Sequence, residues 1–427
     1  MSATSASSID ISKRDLTLDI ARVFCVLLVV VIHLLEVGVG RDATGALVIS
    51  RPVELQPWFA AATWIGQIMP LFFVVGGFAS LTAWRSLVRR GGTGRDYVRN
   101  RVLRLAQPAL PLFIFYVVVM GGARLFGVPQ ELLDVVIVGA GLPLWFLAAY
   151  TLCQAVVPLM AGLHARAPRR TLVVLFAGAI LVDAIRFGGH GYWIGNVNLF
   201  FVWVLVQQIG FWYADGWFAA RRWWQLVAIP AGCYLALALI TVRGPYSADM
   251  LAMLNPPTIP LVLLGLAQAC ILRLIRPLLA RLMSTPPARA AVFLVGSRLM
   301  TIYLWHLPVI IAISGILLLI PGASPVPASP AWWWSRPLAY VIVLLAVFAL
   351  SFLVGRWEAP REVGVTPPAP IVALAVALTF IPAYCVLQWG LDFAFAVMGA
   401  LFFGAAVLVL GRWPSAQRRE PALSSMS

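Results

Sequence analysis

Apolar residues along this chain gather into runs of roughly twenty, the length a helix needs to cross a bilayer core, divided by short polar stretches. Twelve runs read as spans: 16–39, 58–84, 108–126, 143–163, 171–187, 197–219, 224–242, 258–280, 297–319, 337–355, 369–388 and 391–411. The expected fold is an all-α, polytopic transmembrane helical bundle. The fifth run is short, and a tight Trp389-Gly390-Leu391-Asp392 turn joins the last two. Met1 to Ser12 is polar and Ser-rich, without the basic segment and small-residue cleavage site of a signal peptide, so the first run is expected to be retained.

Composition agrees with the pattern: 62% of the 427 residues are hydrophobic and only 11% are charged, which excludes an ordinary globular core. A net charge of +15 would suggest nucleic acid in a soluble protein, but here it is the distribution that matters. Arginines cluster in alternate loops: seven from Arg85 to Arg104, then Arg166, Arg169 and Arg170, Arg221 and Arg222, and Arg273 to Arg289. Lys13 and Arg14 precede the first span, Arg356 and Arg361 follow the tenth, and Arg412, Arg418 and Arg419 lie in the tail. The opposite loops hold six at most, Arg41, Arg51, Arg124, Arg186, Arg243 and Arg336. Positive residues stay inside, so both termini are expected to be cytoplasmic. The outer loop Gly127 to Asp134 carries Pro129, Gln130, Glu131 and Asp134, and Trp332, Trp333 and Trp334 read as an interfacial belt. Cys25, Cys153, Cys233, Cys270 and Cys385 stand singly in apolar segments, which implies neither a disulfide framework nor a metal site.

No stretch outside the spans is long enough to house catalysis, so chemistry must lie among the helices. Ionisable residues within a span are costly and mark function or a polar interior. Arg22 and His33 both lie in the first span, eleven positions apart. At about 100° per residue this returns His33 to within roughly 20° of Arg22, about 16 Å further along the axis. Asp19 and Glu36 fall on the same broad face. Arg101 and Arg104, three apart beside the third span, suit a phosphate-bearing ligand; most of the other loop arginines are read as orienting the chain against anionic lipid. Arg298, Thr301, Tyr303 and His306 put polar groups into the ninth span, where Pro308 frees a carbonyl that could hold His306. His306 is as readily structural as reactive. Gly76-Gly77 in the second span suits close helix approach.

Taken together these segments resemble a known family. Arg22-x10-His33, Pro70-Leu-Phe-Phe-Val-Val-Gly76-Gly77-Phe78, Arg101-x-x-Arg104, Pro143-Leu-Trp145-Phe146-Leu147 and Tyr303-Leu-Trp305-His306 occur in an order similar to that of the acyltransferase 3 family of integral membrane O-acyltransferases. The resemblance covers about Leu16 to Arg356. It implies a core of ten spans that moves an acyl group, often acetyl, from cytoplasmic acyl-CoA to a hydroxyl of an envelope carbohydrate, glycolipid or lipid. A bacterial inner (plasma) membrane location follows from the same resemblance. The family usually has Ser-Gly where this chain has Gly76-Gly77, and spans 369–411 look additional, with no hydrolase-like domain after them. The expected layout is a tail over 1–15, the core over 16–356, a linker and two further spans over 357–411, and a tail over 412–427.

On that basis His33 is the expected general base. Arg22 would hold CoA phosphate or steady the thioester, oriented by Asp19. Arg101 and Arg104 would bind CoA phosphates. Glu36 would pair with His33 at one-turn spacing or contact the acceptor. Acyl-CoA is the expected co-substrate, with no metal, no nucleic acid, and the lipid bilayer as surroundings. A transporter or flippase fits intramembrane ionisable residues equally well; the lack of paired half-helices or an inverted repeat and the order of the segments favour transfer chemistry.

Overall fold

The computed structural model describes residues 15–42, 44–128, 139–189, 191–358 and 367–411. Lys13, Arg14, Arg361, Arg412, Arg418 and Arg419 lie outside the described residues, as do Pro129, Gln130, Glu131 and Asp134 of the outer loop. The described chain is helical apart from one β-hairpin. Its helices are α1 (Leu16–Glu36), α2 (Phe59–Gly66), α3 (Met69–Arg89), α4 (Gly94–Leu125), α5 (Leu144–Arg166), α6 (Pro168–Phe187) and α7 (Asn198–Ala214). They continue with α8 (Trp223–Arg243), α9 (Ile259–Met283), α10 (Pro286–Gly296), α11 (Leu299–Leu318), α12 (Pro330–Val354), α13 (Ala369–Trp389) and α14 (Phe393–Gly411). Strands β1 (Gly38–Arg41) and β2 (Leu47–Ser50) form the hairpin, which the run-length pattern does not reveal.

Eleven segments among the described residues are long and apolar enough to cross a membrane, and they account for all the expected spans but the fifth. That one, α6, carries Arg169, Arg170, Asp183 and Arg186, so its composition is less apolar. It is nonetheless a 20-residue helix, about 30 Å long, and it runs the length of the bundle. Its first residues follow α5, whose terminal His164 bonds to Asp215 just after α7. Near its other end, Asp183 accepts from Asn198 at the start of α7, from Tyr246, and from the Ile259 amide at the start of α9.

Helix ends gather at two poles. At the arginine-rich pole Arg276 of α9 meets Asp15 at the start of α1 (3.2 Å), and Arg85 of α3 meets Asp215 (2.6 Å). At the other, the hairpin packs on α11, and the Ser324 hydroxyl donates to the Val39 carbonyl.

Three local departures have clear causes. The second run is two helices, because the chain breaks at Gln67–Ile68 before Pro70. The break is sealed as lipid demands: the Gln67 carbonyl accepts from Gln268 (2.8 Å), and the Gln67 side chain accepts from the Met69 amide. The third run begins fourteen residues early, since a Thr93/Asp96 capping box starts α4 within the arginine-rich loop. Arg99 therefore sits on a helix, buried, with its guanidinium donating to the Leu410 carbonyl near the end of α14 (2.9 and 3.2 Å). It anchors the last span against α4; it is not a loop cation facing lipid heads. Finally, α12 opens at Pro330, which places the tryptophans in its first turn; Trp332 is buried and Trp334 exposed, so only part of the cluster is a belt.

Of the glycine pair, Gly77 is the packing device, and Gly76 is not. A Cβ on Gly77 would overlap the Gln207 carbonyl of α7, and one on Gly210 would overlap the Val74 carbonyl of α3. Helices without a hydrophobic drive between them gain most from such close backbone approach.

Candidate active site

His33 lies in the last turn of α1 and meets His306 of α11 directly. His33 Nδ1 is 2.8 Å from His306 Nε2, with ring centroids 4.9 Å apart. His306 is fully buried, and its Nδ1 is 3.2 Å from the Ile302 carbonyl one turn back on its own helix. Pro308 frees the carbonyl of Leu304, four residues before it, but the acceptor is that of Ile302, so the expected proline device is not what holds the ring.

These contacts assign the protons. A carbonyl only accepts, so His306 Nδ1 carries hydrogen, and in a neutral imidazole its Nε2 is then a lone pair. His33 Nδ1–H donates to that lone pair, leaving His33 Nε2 unprotonated. The order is carbonyl, histidine, histidine, free nitrogen. Glu36 does not supply the pairing: His33 takes a histidine from another helix as its partner.

His33 and Glu36 both line a cleft of about 630 Å³ at the hairpin pole. Its lining also includes Leu47 and Ile49 from one face of β2 and Ile311 and Leu318 from the outer half of α11. Arg51, paired with Glu54 at 2.9 Å, also reaches it.

Arg22 opens elsewhere. With Asp19 (3.5 Å) it borders a separate 120 Å³ hollow closed by Phe293, Gly296 and Leu299. Its Nε is buried with no hydrogen-bond partner. The stripe is thus one face with two openings: the turns of α1 between them pack on α11, with Val26, Val29 and Val30 buried.

The profile of the acyltransferase domain family known as acyltransferase 3 matches residues 15–356. The chain belongs to that family. It is therefore a membrane acyltransferase, an enzyme that moves acyl groups other than aminoacyl groups. Comparison with curated proteins and with solved structures returns no match.

In this acyltransferase the remaining candidates fall into three groups. Arg101 and Arg104 lie on α4 towards the arginine-rich pole; Arg101 stands 5.0 Å over the Tyr97 ring, and Arg104 is exposed. The Tyr97 hydroxyl bonds to Gln154 of α5. From that level an aromatic series leads to the histidines. Tyr150 stacks on Phe146 (5.1 Å), Phe146 meets Tyr303 (4.7 Å), and Tyr303 meets His306 (5.8 Å). Gly76 faces Tyr150 across an ordinary contact distance.

Tyr303 and Trp145 are buried and line no part of the cleft. The Tyr303 hydroxyl donates to the Pro143 carbonyl (3.0 Å), which ties α11 to the start of α5 beside the cleft. Trp145 is buried against Trp203. Arg298 sits in the turn between α10 and α11, not within a span, and donates to the Ser351 carbonyl (2.9 Å) and hydroxyl (3.0 Å). Glu358 accepts from the Met300 and Thr301 amides and from the Thr301 hydroxyl, capping α11. Arg298 and Glu358 together hold the start of the helix that delivers His306. Sequence reasoning passed over Glu358, whose only signal was an acid just beyond a span. Among the described residues, no group of three or more His, Cys, Asp or Glu side chains is arranged to hold a metal ion.

Proposed function

We propose that this acyltransferase takes an acyl group, acetyl in the simplest case, from cytoplasmic acyl-CoA and transfers it to a hydroxyl of an envelope carbohydrate, glycolipid or lipid at a cell inner membrane. The observation that carries the reading is the Ile302 carbonyl–His306–His33 series ending at the cleft. It leaves a neutral nitrogen with a lone pair where an acceptor hydroxyl can reach it, which is what a general base requires.

In this mechanism His33 Nε2 takes the hydroxyl proton as the acceptor oxygen attacks the thioester carbonyl carbon. The new C–O bond forms, the C–S bond breaks, and the departing CoA sulfur takes the proton back from His33. His306 positions the ring and keeps His33 Nδ1 protonated throughout, so the proton taken up and given back is the one on Nε2. Glu36, in the same cleft, contacts the acceptor. Arg101 and Arg104 bind CoA phosphates through forked, charge-assisted hydrogen bonds. Arg22, with its unpartnered Nε and its Asp19 neighbour, opens into a hollow apart from the His33 cleft and there takes a further phosphate; it is too far from His33 to steady the thioester end.

The arginine distribution supports a cytoplasmic arginine-rich pole, and α6 as a twelfth crossing keeps both termini on that side. Donor and acceptor then arrive from opposite faces. The break in the second span is sealed by Gln67 and Gln268, which favours transfer chemistry over an open transport path there.

The test is CoA release from acetyl-CoA by purified protein, with and without a hydroxyl acceptor. Acceptor-stimulated release that disappears in His33→Ala is expected. Wild-type turnover by that variant removes His33 from the base role. Sealed proteoliposomes loaded with acetyl-CoA should modify an impermeant external acceptor; product formed only when both substrates share the arginine-rich face would defeat the opposite-face arrangement.

A further inference from the structure

Resting on the reading of His33 as the base, the construction of its cleft identifies the chemical class of the acceptor. Most of its described lining is apolar; His33, Glu36, Ser50, Arg51 and Ser314 supply the polar side chains. Two periodic stripes make up much of the apolar part. Leu47 and Ile49, two apart on β2, present the same face of the strand. Ile311, Gly315 and Leu318 recur at helical spacing along α11. Both Leu47 and Ile49 are about two-fifths exposed (42% and 43%), apolar surface that a ligand in the cleft would cover. Among the described lining residues there is no aromatic ring to stack on a sugar face and no amide to bond sugar hydroxyls. The volume, 630 Å³, lies within the range of about 300–1,000 Å³ of largely apolar ligand clefts whose few polar groups fix orientation.

We infer that the acceptor is an amphiphile: a molecule that presents its hydroxyl to His33 and lays an apolar body directly attached to that hydroxyl-bearing head along β2 and α11. A bare, fully hydrated sugar would leave this wall uncovered. The donor's acyl chain is the competing occupant, since it too would pass His33, and the experiment separates the two.

Full-length protein in nanodiscs would be assayed for acyl transfer from acetyl-CoA to two matched series, methyl to hexyl glucosides and n-propanol to n-hexanol. Each methylene that becomes fully buried should lower the acceptor KM about fourfold, the equivalent of ~0.8 kcal/mol. Gly315 has nothing within 4 Å of where a Cβ would stand, so Gly315→Leu fits the helix and fills the cleft. It should flatten the dependence on alkyl length while keeping the wild-type unfolding temperature. Leu47→Asn, on the exposed strand, should do the same.

A KM independent of alkyl length, or a slope untouched by both variants, overturns the inference. So does a shift in preferred donor length, from acetyl towards longer or shorter chains, without a change in acceptor slope. If neither series supports transfer, a diazirine-bearing octanol decides. Cross-links on β2 and the outer half of α11 that vanish in Gly315→Leu support the amphiphile, and equal labelling of both proteins overturns it. Failure of the His33 reading is seen separately, as unimpaired transfer by His33→Ala.

Discussion

Replacing His306 by alanine is the sharpest test of the histidine pair. The substitution removes the acceptor of His33 Nδ1–H, a 2.8 Å bond between rings on different helices. With His33 neutral, that bond is an ordinary one, worth about 0.5–1.5 kcal/mol net; once His33 holds the acceptor's proton, the donor is ionised and the bond is worth about 1.5–3 kcal/mol. The difference, roughly 1–1.5 kcal/mol, is felt only in the transition state, and it lowers kcat by about 5- to 13-fold. The freed ring can also rotate and exchange tautomers, which should bring the total to about 10- to 100-fold. His33→Ala loses the base itself, at about 10²- to 10⁴-fold, so His306→Ala should be the milder of the two. KM for acyl-CoA should stay within about twofold, because His306 is buried beneath His33 and lines no part of the cleft. His306→Gln supplies an amide oxygen able to accept from His33 Nδ1 and should recover part of the loss. The assay is steady-state CoA release with donor and acceptor varied separately, alongside a thermal unfolding scan of each variant. A folded His306→Ala with kcat within twofold of wild type refutes the relay. Glutamine no better than alanine in a folded variant refutes the tautomer argument.

Arg101 and Arg104 replaced together by alanine should raise KM for acyl-CoA and weaken its binding, since each lost charge-assisted bond is worth roughly 1.5–3 kcal/mol; unchanged CoA affinity in a titration would return the pair to the membrane surface. Gly77→Ala should lower the unfolding temperature sharply, because its methyl group meets the Gln207 backbone and overpacking costs about 1–3 kcal/mol or more; a wild-type unfolding curve would contradict the α3–α7 contact. At the start of α1, burial pushes the Asp15 carboxyl up, but Thr17 and Arg276 outweigh it and hold it below the usual carboxylate range. A depressed carboxyl contributes stability above its unfolded pKa of about 3.9 and loses it as pH falls through the folded value. Asp15→Asn, which keeps a capping side chain, should therefore unfold slightly earlier than wild type at pH 7, by less than about 1 kcal/mol for so exposed a pair. That gap should close in acid, and a gap that widens below pH 4 would reverse the sign.

Much of this protein is written in its one-dimensional pattern, because a bilayer constrains sequence more simply than water does. Every backbone group must be satisfied within its own segment, so runs such as 258–280 and 369–388 can be little else but helices, and the arginine-rich loops carry the expectation of their orientation. Function was legible to the same depth. Arg22 and His33 are conspicuous because ionisable groups in a span are expensive, and Tyr303-Leu-Trp305-His306 carries the family resemblance that the match over residues 15–356 bears out. What the pattern does not hold is who faces whom across helices. Residues 33 and 306 are 273 positions apart, and only packing α1 against α11 brings their rings into contact. Local spacing pointed instead to Glu36 as the partner of His33, since one-turn neighbours are all that a single helix can offer. The same limit hid the role of Arg99: a periodicity along α4 cannot show that the end of α14 waits beside it with an unsatisfied carbonyl. It hid the hairpin too, whose short strands fall between two spans and become a wall of the cleft only when they fold back onto α11. Helix formation and orientation are decided by the local balance of apolar surface, backbone satisfaction and charge. The proton arrangement of the site is decided by contacts between distant segments, which come into being only as the bundle packs.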